Sequence, residues 1–107
     1  MSILDRDKVD GIGKNEEENK IALLIADHLN WDNEIEHLTL IQDKINAYIS
    51  FIESGQAYNI YEDIKVIEGY IIDLRFKYKP SLNFYKLLDV FKSSTKDLAV
   101  EFRIHES

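Results

Sequence analysis

Asp27, His28, Asp32, Glu34 and His37, side chains able to hold a metal or move a proton, fall within eleven positions of this sequence. Carboxylates with imidazoles are the usual ligands of a hard or borderline metal. Glu34-x-x-His37 also has the i, i+3 spacing of the half-motif used by di-iron helix bundles. Those bundles need the motif twice, with further glutamates from other helices, and this chain has it once. His28, Asp32, Glu34 and His37 are therefore the candidate metal ligands. The competing reading assigns them to folding: acids at a helix start suit the macrodipole, and the two histidines serve as partly buried hydrogen-bonding residues.

Other chemistries are thinner. With no cysteine, thiolate catalysis, disulfides and cysteine-ligated zinc are excluded. No serine stands in a G-x-S-x-G elbow. Residues 11 to 15, GIGKN, lack the G-x-x-x-x-G-K-[ST] pattern of a phosphate loop and lead into an acidic turn rather than a helix. Arg75, Lys77 and Lys79 around Tyr78 form a short basic stretch, too few cations for nucleic acid on an acidic protein. No catalytic set and no cofactor signature emerges.

The element that must position the cluster is a long helix bracketed by Asp32 and Asn33, good N-cap residues, and by Gly55, suited to a left-handed C-terminal residue. Asn33 and Glu36 have capping-box spacing. At about 100° per residue, Ile35, Leu38, Ile41, Ile45, Tyr48, Ile49 and Ile52 gather on one side, the expected core face. A second stripe, Leu40, Ala47 and Phe51, lies elsewhere on the wheel, to be covered by another helix or by a partner. These three are the candidate interaction residues.

Around this helix the chain reads in order. Residues 1 to 8 are polar and expected to fray. Val9 to Gly13 predicts a short strand, Lys14 to Asn19 a turn, and Lys20 to Asp27 an interior strand buried on both faces. Residues 56 to 65 form a connection, with a short helical turn and Tyr58, Ile60, Tyr61 and Ile64 as lids over the helix end. Val66 to Lys79 alternates strictly, setting Tyr70, Ile72, Leu74, Phe76 and Tyr78 inward. Pro80 ends that strand, and Ser81 caps a second helix with Phe84, Leu87, Leu88 and Phe91 on its apolar face. Leu98 to Glu106 predicts the last strand, with Leu98, Val100, Phe102 and Ile104 inward.

The expected fold is thus α+β: one domain over residues 1–107, a two-layer sandwich of a four-stranded sheet with two helices on one face, in the order ββαβαβ. The other sheet face would carry Asp73, Arg75, Lys77, Glu101, Arg103 and His105, explained as cross-strand ion pairs if the last two strands are neighbours.

Composition suits a soluble globular protein, at 45% hydrophobic and 31% charged. The net charge of −7 is concentrated in residues 1 to 63, with fourteen acidic and five basic groups. That field opposes nucleic acid and anionic membrane. No apolar run is long enough to span a bilayer and no signal peptide opens the chain, so a cytoplasmic protein is expected.

Asp27-His28-Leu29, Trp31, Glu36-His37-Leu38, Gln42 to Asn46, Phe51 to Gly55 and Phe76 to Pro80 together resemble the hallmark segments of a family of small bacterial proteins of unknown function. The resemblance implies bacterial origin and a standalone domain, and supplies no activity. The leading expectation is a non-catalytic interaction module that uses no cofactor, a homodimer or an inhibitor-like protein with a protein partner. The alternative is a metal-binding protein or small hydrolase built on His28, Asp32 and His37.

Overall fold

Lys20–Asp27 forms a strand over the expected residues, and it lies inside the sheet. The computed structural model describes residues 3–4, 9–60 and 67–106. Its elements are β1 (Gly11–Asn15), β2 (Lys20–Asp27), α1 (Glu34–Glu53), α2 (Gln56–Ile60), β3 (Gly69–Phe76), α3 (Leu82–Ser94) and β4 (Val100–Glu106), with a 3-10 turn at Lys96–Leu98. The expected ββαβαβ order holds, with the short α2 added after α1. The sheet is mixed, in the order β1-β2-β3-β4: β1 runs antiparallel to β2, while β2, β3 and β4 are parallel. The carboxyl ends of three strands therefore share one edge.

One sheet face supplies the core. Ile21, Leu23 and Ile25 of β2, Ile72, Leu74 and Phe76 of β3 and Phe102 of β4 alternate onto it and pack with Ile41, Ile45 and Tyr48 of α1 and Phe84, Leu88 and Phe91 of α3. Each fully buried aliphatic side chain there contributes about 1.5–3 kcal/mol. Burial of β2 on both faces is not observed: Ala22, Leu24 and Ala26, on the opposite face, are only half-buried. Gly69 opens β3 where it must, because a Cβ there would come within 2.6 Å of the Ala99 carbonyl oxygen.

Several expectations are corrected. β1 starts at Gly11 rather than Val9, and Ile3 of the supposedly frayed segment is completely buried. β3 ends at Phe76, leaving Tyr78 substantially exposed, and Leu98 belongs to the 3-10 turn because Ala99 adopts a left-handed conformation. The lid role of Tyr58, Ile60, Tyr61 and Ile64 falls outside the described residues and side chains.

α1 begins and ends as its sequence dictates. Asn33 accepts the Glu36 N–H, although its amide donates to the Glu36 carboxylate where a capping box would use the backbone, and Gly55 takes φ +81°. Its buried face is rotated from expectation. The inward residues are His37, Leu40, Ile41, Lys44, Ile45, Tyr48 and Ile52, whereas Ile35 is 80% exposed. Counting only apolar residues misplaces the stripe, because two of its members are polar.

The more consequential is Lys44, which is fully buried and donates to Asp10 Oδ1 at 2.7 Å. Asp10 Oδ2 accepts the Ala26 N–H at 2.9 Å. The Asp10 N–H donates to the Tyr48 hydroxyl, which in turn donates to the Leu24 carbonyl. Burial pushes the Tyr48 phenol above its ordinary range, which keeps it a donor. Ile3 adds its N–H to the Ala26 carbonyl. These contacts satisfy the β2 backbone beyond the last β1 pairing, Gly11 with Leu24, where buried groups would otherwise be orphaned.

The opposite sheet face is bound by ions. Arg103 of β4 reaches across the sheet to grip both oxygens of Glu18, at 2.9 and 2.8 Å, and also bonds Glu101. Lys20 joins Glu101 at 3.1 Å. Asp73, the register partner of Arg103, instead pairs with Arg75 at 3.3 Å, and the His105 ring stands 3.1 Å from its other oxygen. The Arg103 hydrogen bonds hold the Glu18 and Glu101 carboxyls below their usual range.

Two outcomes follow from these networks. Asp10→Ala removes a carboxylate from the buried Lys44 ammonium and is expected to cost about 3–5 kcal/mol in urea unfolding, while Asp10→Asn combined with Lys44→Met removes both charges and recovers most of that loss. The depressed Glu18 and Glu101 contribute stability above the ordinary carboxylate range and lose it as pH falls through their lower folded values. The urea midpoint should therefore drop more steeply between about pH 5 and pH 3 for the native chain than for Arg103→Gln.

Candidate functional site

The loop from β2 to α1 places the chemistry-bearing residues at the carboxyl edge of the parallel strands, where open α/β sheets commonly present ligand sites. Asp27 is the last residue of β2 and is buried, and residues 28–32 lead from it to Asn33, which caps α1. Opposite, Phe76 ends β3, and the Lys77 N–H donates to the Asp27 carbonyl at 2.9 Å. Between these walls lies a cleft of about 330 Å³ lined by Leu4, His28, Leu29, Asn30, Asp32, Asn33, Glu36, His37, Leu40 and Tyr78.

His28, Asp32 and His37 do reach one cleft, but they do not act together. His37 is 2% exposed, with Nε2 2.5 Å from Asp27 Oδ2 and Nδ1 3.0 Å from the Asn30 carbonyl. A carbonyl only accepts, so Nδ1 carries a proton. One further proton lies between Nε2 and the carboxylate, on whichever partner. In either case both nitrogens are engaged, and neither offers a lone pair to a metal or substrate. Asp27 is equally committed, because Oδ1 accepts the Leu29 N–H at 3.0 Å.

Trp31 closes over the pair. Its ring stacks on His37 at 3.8 Å between centroids and leans on Phe76 and Phe84 at 6.2 and 6.4 Å. His28 and Asp32 remain exposed on the cleft rim. Glu34 leaves the cluster altogether. Its carboxylate accepts from Asn83 at 3.0 Å, and hydrogen bonds from Ser81 and Asn83 hold it below its usual range. That contact ties the first turn of α1 to the first turn of α3. Among the described residues, no group of three or more His, Asp or Glu side chains is arranged to hold a metal ion.

The expected stripe on α1 also divides. Leu40 is 6% exposed in the core and touches the cleft, whereas Ala47 and Phe51 line a groove of about 400 Å³ with Val9, Tyr48, Ser50, Ser54 and Gln56. The exposed apolar area lies elsewhere. Leu4, Ile35, Tyr78 and Leu82 are 58%, 80%, 45% and 82% exposed, and only Val90 joins them among the large apolar residues described. Leu4 and Tyr78 line the cleft, and Ile35 and Leu82 are the chain neighbours of Glu34 and Asn83, whose side chains join α1 to α3 at that end of the molecule.

Sequence reasoning missed Asp10, Lys44 and Tyr78. For Lys44 a signal existed: it stands three residues after Ile41 and four before Tyr48, inside the apolar stripe. No helix among the described residues is long and apolar enough to cross a membrane.

No curated protein and no solved structure matches the chain. A family model does, over residues 1–107, and on that match the chain belongs to DUF6572, a family of unknown function.

Proposed function

We propose that this protein is a non-catalytic interaction module of the bacterial cytoplasm, and that it meets a partner protein through the carboxyl edge of its sheet. The supporting observation is the gathering of Leu4, Ile35, Tyr78 and Leu82 at that end, since large apolar side chains left in water together commonly mark a contact surface. The partner is a different protein rather than a second copy. A two-fold contact would use the same patch twice and so double the exposed carboxylates of Asp32 and Glu36 within the interface. The cysteine-free, acidic composition supports the location, and the sequence resemblance supports the source.

The alternative, a metal-binding protein or small hydrolase, draws on the presence of His28, Asp32 and His37 around one cleft. The engagement of both His37 nitrogens weighs against it.

Two measurements separate these readings. Light scattering should report a monomer at high concentration, and the immobilised chain should retain a protein that Ile35→Asp and Leu82→Asp release while their melting temperatures stay within a few degrees of the native value. A monomer that retains nothing would remove the interaction reading. For the metal reading, protein purified without chelator or affinity tag should melt at the same temperature with and without added zinc, manganese or iron, and a rise of several degrees with one of them would favour that reading instead.

A further inference from the structure

The cleft has a chemistry more specific than the apolar end around it. Its lining includes two carboxylates, Asp32 and Glu36, and neither lysine nor arginine. Leu4, Leu29, Leu40 and Tyr78 supply apolar surface, and Asn30 and Asn33 supply amides. The half-charge at the start of α1 favours anions, but two full negative charges outweigh it. A guest for such a site needs an apolar stem and a cationic head, the build of a lysine or arginine side chain. A volume of about 330 Å³ lies at the small end of ligand sites, fitting one long side chain rather than a large cofactor. The Lys77 ammonium stands 5.6 Å from the Tyr78 ring centroid but does not line the cleft.

We infer that the cleft between Tyr78 and the start of α1 receives a lysine or arginine side chain from an apolar segment of the partner protein, its stem against Leu29, Leu40 and Tyr78 and its head between Asp32 and Glu36. The inference rests on the interaction reading and names what that surface selects. Anionic partners are rejected by the same two carboxylates, and purely apolar ones forgo the charge contacts.

The test uses the full chain and short synthetic peptides with a central arginine flanked by leucines. In parallel peptides the arginine is replaced by lysine, norleucine or glutamate. Amide NMR spectra should shift at Leu29, Asp32, Glu36 and Tyr78 with the arginine and lysine peptides and far less with the other two. Asp32→Asn combined with Glu36→Gln should weaken arginine-peptide binding by about tenfold at low salt. Raising the salt should close most of that gap, and the unchanged remainder of the spectrum would report that the variant is folded. Equal binding of the arginine and norleucine peptides, shifts confined to another surface, equal affinity of free spermidine, or no shift at millimolar peptide would each overturn the inference. If that happens while Ile35→Asp still releases a captured protein, the interaction reading stands and only the occupant of the cleft is wrong. If capture is absent as well, both fall.

Discussion

An ammonium group buried without water is tolerated only where a carboxylate meets it, and the Lys44–Asp10 pair is the constraint on which the early part of this fold depends. The pair does more than neutralise itself. Asp10 also accepts from the β2 backbone, and Tyr48, one turn further along α1, bridges the Asp10 N–H to the Leu24 carbonyl. Three segments distant in sequence are thereby fixed together: the approach to β1, the second half of β2 and the middle of α1. Apolar packing alone would hold α1 against the sheet, but it would leave the helix free to slide along a largely aliphatic surface. Directed hydrogen bonds to one carboxylate set its position.

The same economy governs the opposite end of α1. His37 lies on the inward stripe seven residues before Lys44, two helical turns away, and there too a carboxylate meets a nitrogen. The two charged or chargeable residues on the buried face each answer an aspartate at the margin of β2, Asp10 beside Ala26 and Asp27 at its end. The histidine that looked most like a ligand is therefore a second positioning contact. The stacked Trp31 ring covers it.

Much of the architecture was legible because it rests on short-range patterns. The Asn33 and Ser81 caps, Gly55 beyond α1, the span of β2 and the inward Ile72, Leu74, Phe76 and Phe102 each depend on a few neighbouring residues, although Ile71, expected outward, is buried as well. Strand order and the parallel pairings depend on contacts that no local pattern records. The facing of α1 failed for a definite reason. An apolar-only wheel treats lysine and histidine as solvated, and their partners, Asp10 and Asp27, lie 34 and 10 residues away. Removing two members from one side of a stripe shifts its apparent centre, which drew Ile35 inward and Leu40 outward. The candidate site was legible as a cluster but not as a geometry, since residue types and spacing do not say whether a ring nitrogen already has a partner.

The composition of the exposed end follows from this arrangement. Once Asp27 and His37 satisfy each other and Glu34 is held by Ser81 and Asn83, the side chains left at the carboxyl edge include His28, Asp32, Glu36, Lys77 and Lys79 and the apolar set Leu4, Ile35, Tyr78 and Leu82. A surface meant only to stay in water has no use for four large apolar groups, two of them in the first turns of helices, where polar residues cost nothing. Nor does folding require them there, because the core cluster closes without Leu4, Ile35, Tyr78 or Leu82. Side chains that the interior does not need and that water disfavours are what the proposed contact surface rests on. On that proposal, the edge fixed by these polar contacts is the part of the molecule that meets the partner.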